Sequence, residues 1–409
     1  MPETGLMDKI KPSDVENSRM QPSNKTHAYV LKTDCKEVLK VAFLKTHKTG
    51  GTTVMNVIQR FGHVRNLVFA LPRSTNYLGF GETVTPNAIL PAPKGQSYDL
   101  LINHVVYNRH AFRQIMPKET VYVTIIRHPM EQFLSAIEYL KGKLGYLKKL
   151  PENNSASAFL RNASYYETKD HKWSFTNNRM SFDLGLDHTL YHDAAKVKQF
   201  IRDIDQDFKL VMITEYMDES LLLLKKYLCW SFRDILYIPR NVNIKKVRYN
   251  FTSEERKAHR TWAKADYELY DYFLFKFKKL VDMEGSRFTQ ELRVFKTMLL
   301  SVRKFCVSGQ YRHRWLKINK TTWNEEFEVT GKDCEYMLLE EVPFLQRTRT
   351  QYIRKLRRYG TSPWIVHRFN PAKIRRPTIV RRPIMHQQPT VNRRKYSRSF
   401  NRARLRRPR

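Results

Sequence analysis

The sequence has no Walker A loop, no zinc-binding cysteine pattern and no long hydrophobic run near its start. Each absence removes a class of protein. Without a Gly-x-x-x-x-Gly-Lys-Ser/Thr string, a P-loop kinase reading rests only on general strand–loop–helix form. The four cysteines, Cys35, Cys229, Cys306 and Cys334, include no C-x-x-C pair and match no zinc spacing. Their even number permits two disulfides, Cys306 with Cys334 and Cys35 with Cys229, and four buried thiols fit the count as well. The first 40 residues hold no apolar stretch suited to a signal-peptide core or a membrane span. Acidic residues are also scarce: 39 against 74 basic ones, a net charge of +35. Residues 345–409 contain 21 of those surplus positive charges and no Asp or Glu. Such a segment has too little apolar surface to offset its ordering entropy, which predicts a basic, disordered tail. The charge alone suits a nucleotide polyanion, a nucleic acid or an anionic membrane surface equally well.

What is present centres on Phe43-Leu44-Lys45-Thr46-His47-Lys48-Thr49-Gly50-Gly51-Thr52-Thr53. The apolar run Lys40–Leu44 before it suits a buried strand. Val54, Val57, Ile58 and Phe61 after it form an i, i+3, i+4, i+7 stripe suited to an amphipathic helix. A strand, a small-residue turn and a helix N-terminus make an anion site, because glycines admit close approach and free N–H groups point outward. Lys48 adds a full charge, and the hydroxyls of Thr49, Thr52 and Thr53 add donors. The competing reading is an ordinary strand-to-helix turn rich in Gly and Thr.

Residues 1–34 are polar and aperiodic and read as a flexible lead-in. Residues 66–96, rich in Pro, Gly, Thr and Asn, read as a loop region over the site. Strands are predicted at Tyr98–Ile102, Val121–Ile126 and Lys209–Thr214, the second an uninterrupted β-branched run typical of a parallel strand covered on both faces. Pro129 marks the start of a helix with Met130, Phe133, Leu134 and Ile137 on its apolar face. Arg127 at the strand end and Ser135 in that helix can both reach an anion above the carboxyl edge of the sheet. A helix is expected over Asp218–Trp230 and a long one over Ser253–Val281. Glu215 is either a catalytic carboxylate or a structural acid. Asn-x-Ser/Thr sequons occur at Asn24, Asn153, Asn162, Asn250 and Asn319, which favours a secretory lumen.

The Lys-Thr-Gly-Gly-Thr-Thr order, with Arg127-x7-Ser135 about 80 residues later, resembles the 5′- and 3′-phosphate motifs of sulfotransferases that use 3′-phosphoadenosine 5′-phosphosulfate (PAPS). Arg60-Phe61-Gly62, Asn103-His104, Asn178–Leu186 and Ile213–Ser220 narrow the resemblance to the galactose-3-O-sulfotransferase family, over about Cys35 to Val281. It implies an α/β, P-loop-like sulfotransferase fold with a central, mostly parallel sheet flanked by helices. The implied domain is 35–344, and the implied cofactor is PAPS without a metal. The implied acceptor is a β-galactosyl glycolipid or glycan. Membrane association in the Golgi and a possible homodimer are further implications, with nucleic acid disfavoured. The family's N-terminal transmembrane anchor is not found in this sequence, and Gly50-Gly51 stands where a small Ala/Ser pair is usual. Carried onto this chain, the cofactor-binding residues are Lys45, Lys48, Thr49, Gly50, Gly51, Thr52, Thr53, Arg127 and Ser135. Lys48 is the catalytic cation. His104 and His47 compete as the base, with the Asn103-His104-Val105 segment favouring His104 and an acid limb expected near pH 6–7.

Overall fold

The computed structural model describes residues 35–239, 249–309 and 311–358. Four short strands form one wholly parallel sheet: β1 (Val41–Leu44), β2 (Leu100–Leu101), β3 (Val121–Ile126) and β4 (Leu210–Ile213). Their spatial order is β2-β1-β3-β4. Val41 is in register with both Leu100 and Val121, and Val123 with Leu210. All four β1 residues are buried, as expected of a strand with helices on both faces. The chain leaves β1 for β2 on one side and then crosses back to β3 on the other, so the segments after β1 and β3 flank a topological switch point. Ligands of open α/β sheets bind at such crevices.

Helix α1 (Gly51–Val64) follows β1, and its Val54, Val57, Ile58 and Phe61 are all at most 1% exposed. Burial of each such side chain contributes roughly 2 kcal/mol. Phe61 also stacks on Trp230, 3.7 Å between ring centroids. The helix begun by Pro129 runs to Leu140, and that expected from Asp218 spans Met217–Leu228.

The long helix expected over Ser253–Val281 is instead two, Ser253–Trp262 and Lys264–Val307, with a bend at Gly285. Apolar periodicity does not register the break because its cause is tertiary. Ala263 leaves helical geometry, and the amide of Asp266 donates to Asn178 Oδ1 at 3.0 Å. Asp266 in turn accepts from the amides of Met180 and Ser181 at 3.1 and 2.7 Å. Two helix starts thus satisfy each other's unpaired backbone donors.

The predicted boundary at 344/345 also fails. A helix runs through it from Glu341 to Arg358 and buries Phe344, Leu345, Tyr352, Ile353 and Leu356. Five apolar anchors over two-thirds of a helix supply the burial that the segment's overall composition hides. Its Thr348 hydroxyl accepts from Gln59 Nε2 of α1 at 2.7 Å. The rest of the predicted tail and the lead-in lie outside the described residues. No described helix is long and apolar enough to cross a membrane.

Both disulfides form with the expected pairing, Cys35–Cys229 and Cys306–Cys334, and leave no free cysteine. The first closes a separation of 194 residues and the second one of 28. The loop-entropy account predicts that Cys306→Ser with Cys334→Ser lowers unfolding free energy by about 3.5 kcal/mol, and the Cys35/Cys229 double variant by about 5. Denaturant unfolding measures both. Equal losses would show that native packing, rather than loop closure, sets the contribution.

Candidate active site

Residues 45–53 wrap the carboxyl end of β1. Lys48 and Gly50 both take positive φ, 64° and 75°. Gly50 is the residue before α1, and a Cβ on Gly51 would meet Lys45 Cγ at 2.9 Å. The left-handed turn therefore favours glycine at 50, and a side chain at 51 would need the Lys45 side chain to shift. Neighbouring groups occupy the loop's carbonyls. Thr214 Oγ1 donates to Thr49 O at 2.6 Å, Gln132 Nε2 to His47 O at 3.4 Å, and Arg127 Nη1 to Lys48 O at 3.3 Å. With those acceptors bound, the amides at the start of α1 form the donor face for an anion.

Not every threonine in the loop faces that cleft. Thr49 is fully buried, and its hydroxyl is spent on the Thr46 hydroxyl and carbonyl at 2.7 and 3.2 Å. The expected donor role of that hydroxyl is corrected accordingly, and only the backbone of Thr49 can serve. Thr53 is buried, with its amide on Gly50 O at 2.9 Å. The half-buried Thr52 donates its hydroxyl to Glu341 at 3.1 Å. Lys45 is 2% exposed and ion-paired with Glu341 rather than open to the cleft.

The opposite holds for Lys48. Its ammonium lies 3.6 Å from the Tyr139 ring centroid, beside Lys143, which sits over the same ring at 3.3 Å. Burial, reinforced by Lys143, Arg127 and Lys45, pushes the Lys48 pKa down to about 8. Lys48 and Lys143 form no ion pair among the described residues, and this cluster of positive charge favours an incoming anion. Arg127 closes one side of it and pairs with Glu131 at 3.1 Å. Ser135 lies in the second turn of the helix beyond and shares no hydrogen bond with Arg127. Glu215 is engaged structurally: it accepts from the His128 amide at 3.0 Å and the Tyr270 hydroxyl at 3.3 Å.

The two candidate histidines stack on each other, 4.0 Å between ring centroids and 14° between planes. His47 is anchored by Asp183, which accepts from its backbone amide at 2.8 Å and from Nδ1 at 2.8 Å. Arg179, fully buried, pairs with the same carboxylate at 2.9 Å. Asp183 favours the His47 proton on Nδ1, against Arg179, whose Nε and Nη2 approach the same nitrogen at 3.3 and 3.1 Å, and the buried Nε2 is without a partner among the described residues. His104 Nδ1 donates to Lys45 O at 2.8 Å, and the Tyr77 ring lies against both imidazoles, 5.2 Å from His104 and 5.9 Å from His47. Burial, then the charges of Arg179, Lys45 and Lys48, hold the His47 pKa well below 6.5. Burial, His47 and Lys45 do the same for His104.

Asp183 and Arg179 lie inside a stretch that carries the family resemblance, but no local spacing marks them as partners of residue 47. Nor does any pattern in the sequence point to Tyr77, Tyr139 or Lys143. A signal does exist for Glu341, the last acidic residue before the acid-free segment that starts at 345.

With this geometry in view, the comparisons with known proteins are decisive. The profile described as galactose-3-O-sulfotransferase matches residues 12–322. The chain belongs to the galactose-3-O-sulfotransferase family. It is 36% identical over 270 residues to galactose-3-O-sulfotransferase 3 of Mus musculus, covering 64% of this chain and 62% of that protein. To galactosylceramide sulfotransferase of Homo sapiens it is 28% identical over 278 residues, 68% and 66% of the two chains. To galactose-3-O-sulfotransferase 2 of Sus scrofa it is 32% identical over 242 residues, 58% and 60%. The chain thus spans about three-fifths to two-thirds of the length of the curated relatives it matches. For this family member the α/β architecture with a helix-flanked parallel sheet agrees with a sulfotransferase fold.

Because the folded state leaves both rings unprotonated where an unfolded histidine would charge, stability should fall as pH drops below about 6.5. Nitrogen NMR of the imidazoles at pH 6 should find His47 and His104 neutral with the proton on Nδ1. A charged ring at either position would contradict the geometry.

Proposed function

We propose that the protein transfers the sulfuryl group of PAPS to the 3-hydroxyl of a β-galactosyl residue on a glycolipid or glycan. The observation that carries the reading is one anion loop that bears both Lys48 and, beside it, a neutral imidazole anchored by Asp183. Sulfuryl transfer resembles phosphoryl transfer in needing little covalent chemistry from the protein: an in-line path, charge stabilisation and a proton acceptor. The amides of Gly50, Gly51 and Thr52 hold the 5′-phosphosulfate, and Lys48 stabilises charge growing on the leaving phosphate. Arg127, with Ser135, holds the 3′-phosphate by a forked guanidinium contact.

His47 takes the proton of the galactose hydroxyl through Nε2. Its support is the Asp183 anchor, which favours the proton on Nδ1, and the unpartnered nitrogen opposite. His104, stacked on it, is the second reading and serves otherwise to orient the sugar. Lumenal residence in the Golgi accords with two disulfides and with the exposed sequons Asn153, Asn162, Asn250 and Asn319. Galactosylceramide is one acceptor to test, because a relative carries that name.

A labelled-PAPS assay against galactosylceramide, lactose and N-acetyllactosamine tests the reading, with the sulfated position read by NMR. Transfer to none of these, or to a position other than the 3-hydroxyl, would overturn it. Lys48→Ala should lower kcat by about 10²–10³-fold while weakening product nucleotide only moderately. Arg127→Ala should instead weaken nucleotide binding by about 2–4 kcal/mol in a calorimetric titration.

His47→Ala should lower the maximal rate by about 10²–10⁴-fold, and His104→Ala by less. The reverse order would pass the base role to His104. The pH profile follows from the shifts. A base held well below 6.5 moves the acid limb of kcat/KM below the pH 6–7 expected of an ordinary histidine. Loss of the Lys48 proton should reduce kcat/KM as pH rises through about 8.

A further inference from the structure

The helix Glu341–Arg358 begins where the anion loop and the overlying loop 66–96 meet. Glu341 gathers three side chains from separate parts of the chain. Its Oε2 pairs with Lys45 Nζ and accepts from Thr52 Oγ1 at 3.1 Å, and its Oε1 accepts from Asn76 Nδ2 at 3.1 Å. Lys45 carries the link further, since its carbonyl accepts the Nδ1 proton of His104 at 2.8 Å. Two turns along the same helix, the buried Arg349 donates to the carbonyls of Pro72, Ser74 and Thr75 at 3.0, 3.3 and 2.6 Å. Glu341 therefore works from an anchored helix, and Asn76 belongs to the loop that Arg349 holds in place.

The partners of Glu341 are all side chains. It does not bond the amides at the start of α1, which remain the anion's donors. The carboxylate thus flanks the cradle instead of filling it. Burial alone would raise the Glu341 carboxyl, but Lys45 and the hydrogen bonds outweigh that and hold it at about 2, while burial lowers the Lys45 ammonium against the pull of Glu341. One of the loop's two lysines is thereby neutralised and fixed, and Lys48 is left to meet the donor.

We propose that Glu341 is a positioning residue for sulfuryl transfer, fixing Lys45 and Thr52 at the rim of the anion loop and, through Lys45, the His104 ring. The helix Glu341–Arg358, beyond the stretch matched by the family profile, then forms part of the working site. The inference rests on the sulfotransferase reading above. A carboxylate that locks a neighbouring cation prevents that cation from collapsing onto the donor's sulfonate. A displacement of about 1 Å in such a group can cost on the order of 10²-fold in rate.

The test is steady-state kinetics with PAPS and whichever galactoside the wild type sulfates, alongside calorimetry with 3′-phosphoadenosine 5′-phosphate. Glu341→Gln should lower kcat by about 10–100-fold and leave the nucleotide Kd within about threefold. Glu341→Asp should recover part of the loss. In the Lys45→Met background, Glu341→Gln should add little, because the two act as one unit. Wild-type kcat in a folded Gln variant would overturn the proposal. So would a tenfold tighter nucleotide Kd, which would make the carboxylate a competitor of the anion. Should the Gln variant fail to fold, the Asp variant decides in its place: lowered kcat at unchanged Kd supports the role, and undiminished kcat refutes it. A wild type with no PAPS-dependent turnover would overturn the functional reading and this inference together, whereas an active wild type with an unimpaired Gln variant overturns this one alone.

Discussion

Four cations, Lys45, Lys48, Arg127 and Arg179, crowd around the carboxyl ends of β1 and β3, and carboxylates decide which of them remain available. Asp183 holds Arg179 and His47 inside the protein, and Glu341 holds Lys45 at the rim. Glu131 pairs with Arg127 at the surface, where a phosphate can displace it at little cost. Lys48 is left with an aromatic face, and burial, then the like charges of Lys143, Arg127 and Lys45, depress its pKa, an imbalance that Glu341 offsets only in part. The fold serves this arrangement directly. A parallel sheet brings two strand ends to one crevice, and the segments after them supply the loop and the guanidinium.

The same imbalance links binding to chemistry. A site that lacks one anion binds one strongly, and the charge it supplies is most useful when negative charge moves onto the leaving phosphate. The neutral imidazoles belong to the same field. Positive neighbours and burial keep His47 and His104 unprotonated, so a lone pair is available without a proton first being lost to solvent. Asp183, buried and shared with Arg179, orients the His47 ring for the proposed transfer.

Much of this is legible in the sequence, for reasons tied to short range. β3 matches Val121–Ile126 residue for residue because an unbroken β-branched run bounded by Arg-His-Pro has few alternatives. The anion loop is legible because glycine, lysine and threonine at fixed spacing have a local mechanism. The two disulfides emerge from four cysteines with few sensible pairings. What escapes is long-range. Asp183 reaches His47 across 136 residues, and Glu341 reaches Lys45 across 296. Neither carboxylate carries a local pattern that distinguishes it from a surface acid. The helix from Glu341 to Arg358 is hidden for a different reason: its five apolar anchors are diluted by arginines in any composition window. The break at Ala263 depends on Asn178, far earlier in the chain, and no periodicity within the helix encodes it.

The central claim is that residues 45–53 form the cradle for the donor's 5′ end, with Lys48 on the bridging side and the histidines facing the acceptor. A crystal structure with bound 3′-phosphoadenosine 5′-phosphate and a galactoside tests this most directly. The account predicts the 5′-phosphate on the amides of Gly50, Gly51 and Thr52 with Lys48 Nζ in contact. It also predicts the 3′-phosphate on Arg127 and the galactose 3-hydroxyl within hydrogen-bond reach of His47 Nε2. A 5′-phosphate bound away from this loop, or a sugar hydroxyl out of reach of both histidines, would contradict it.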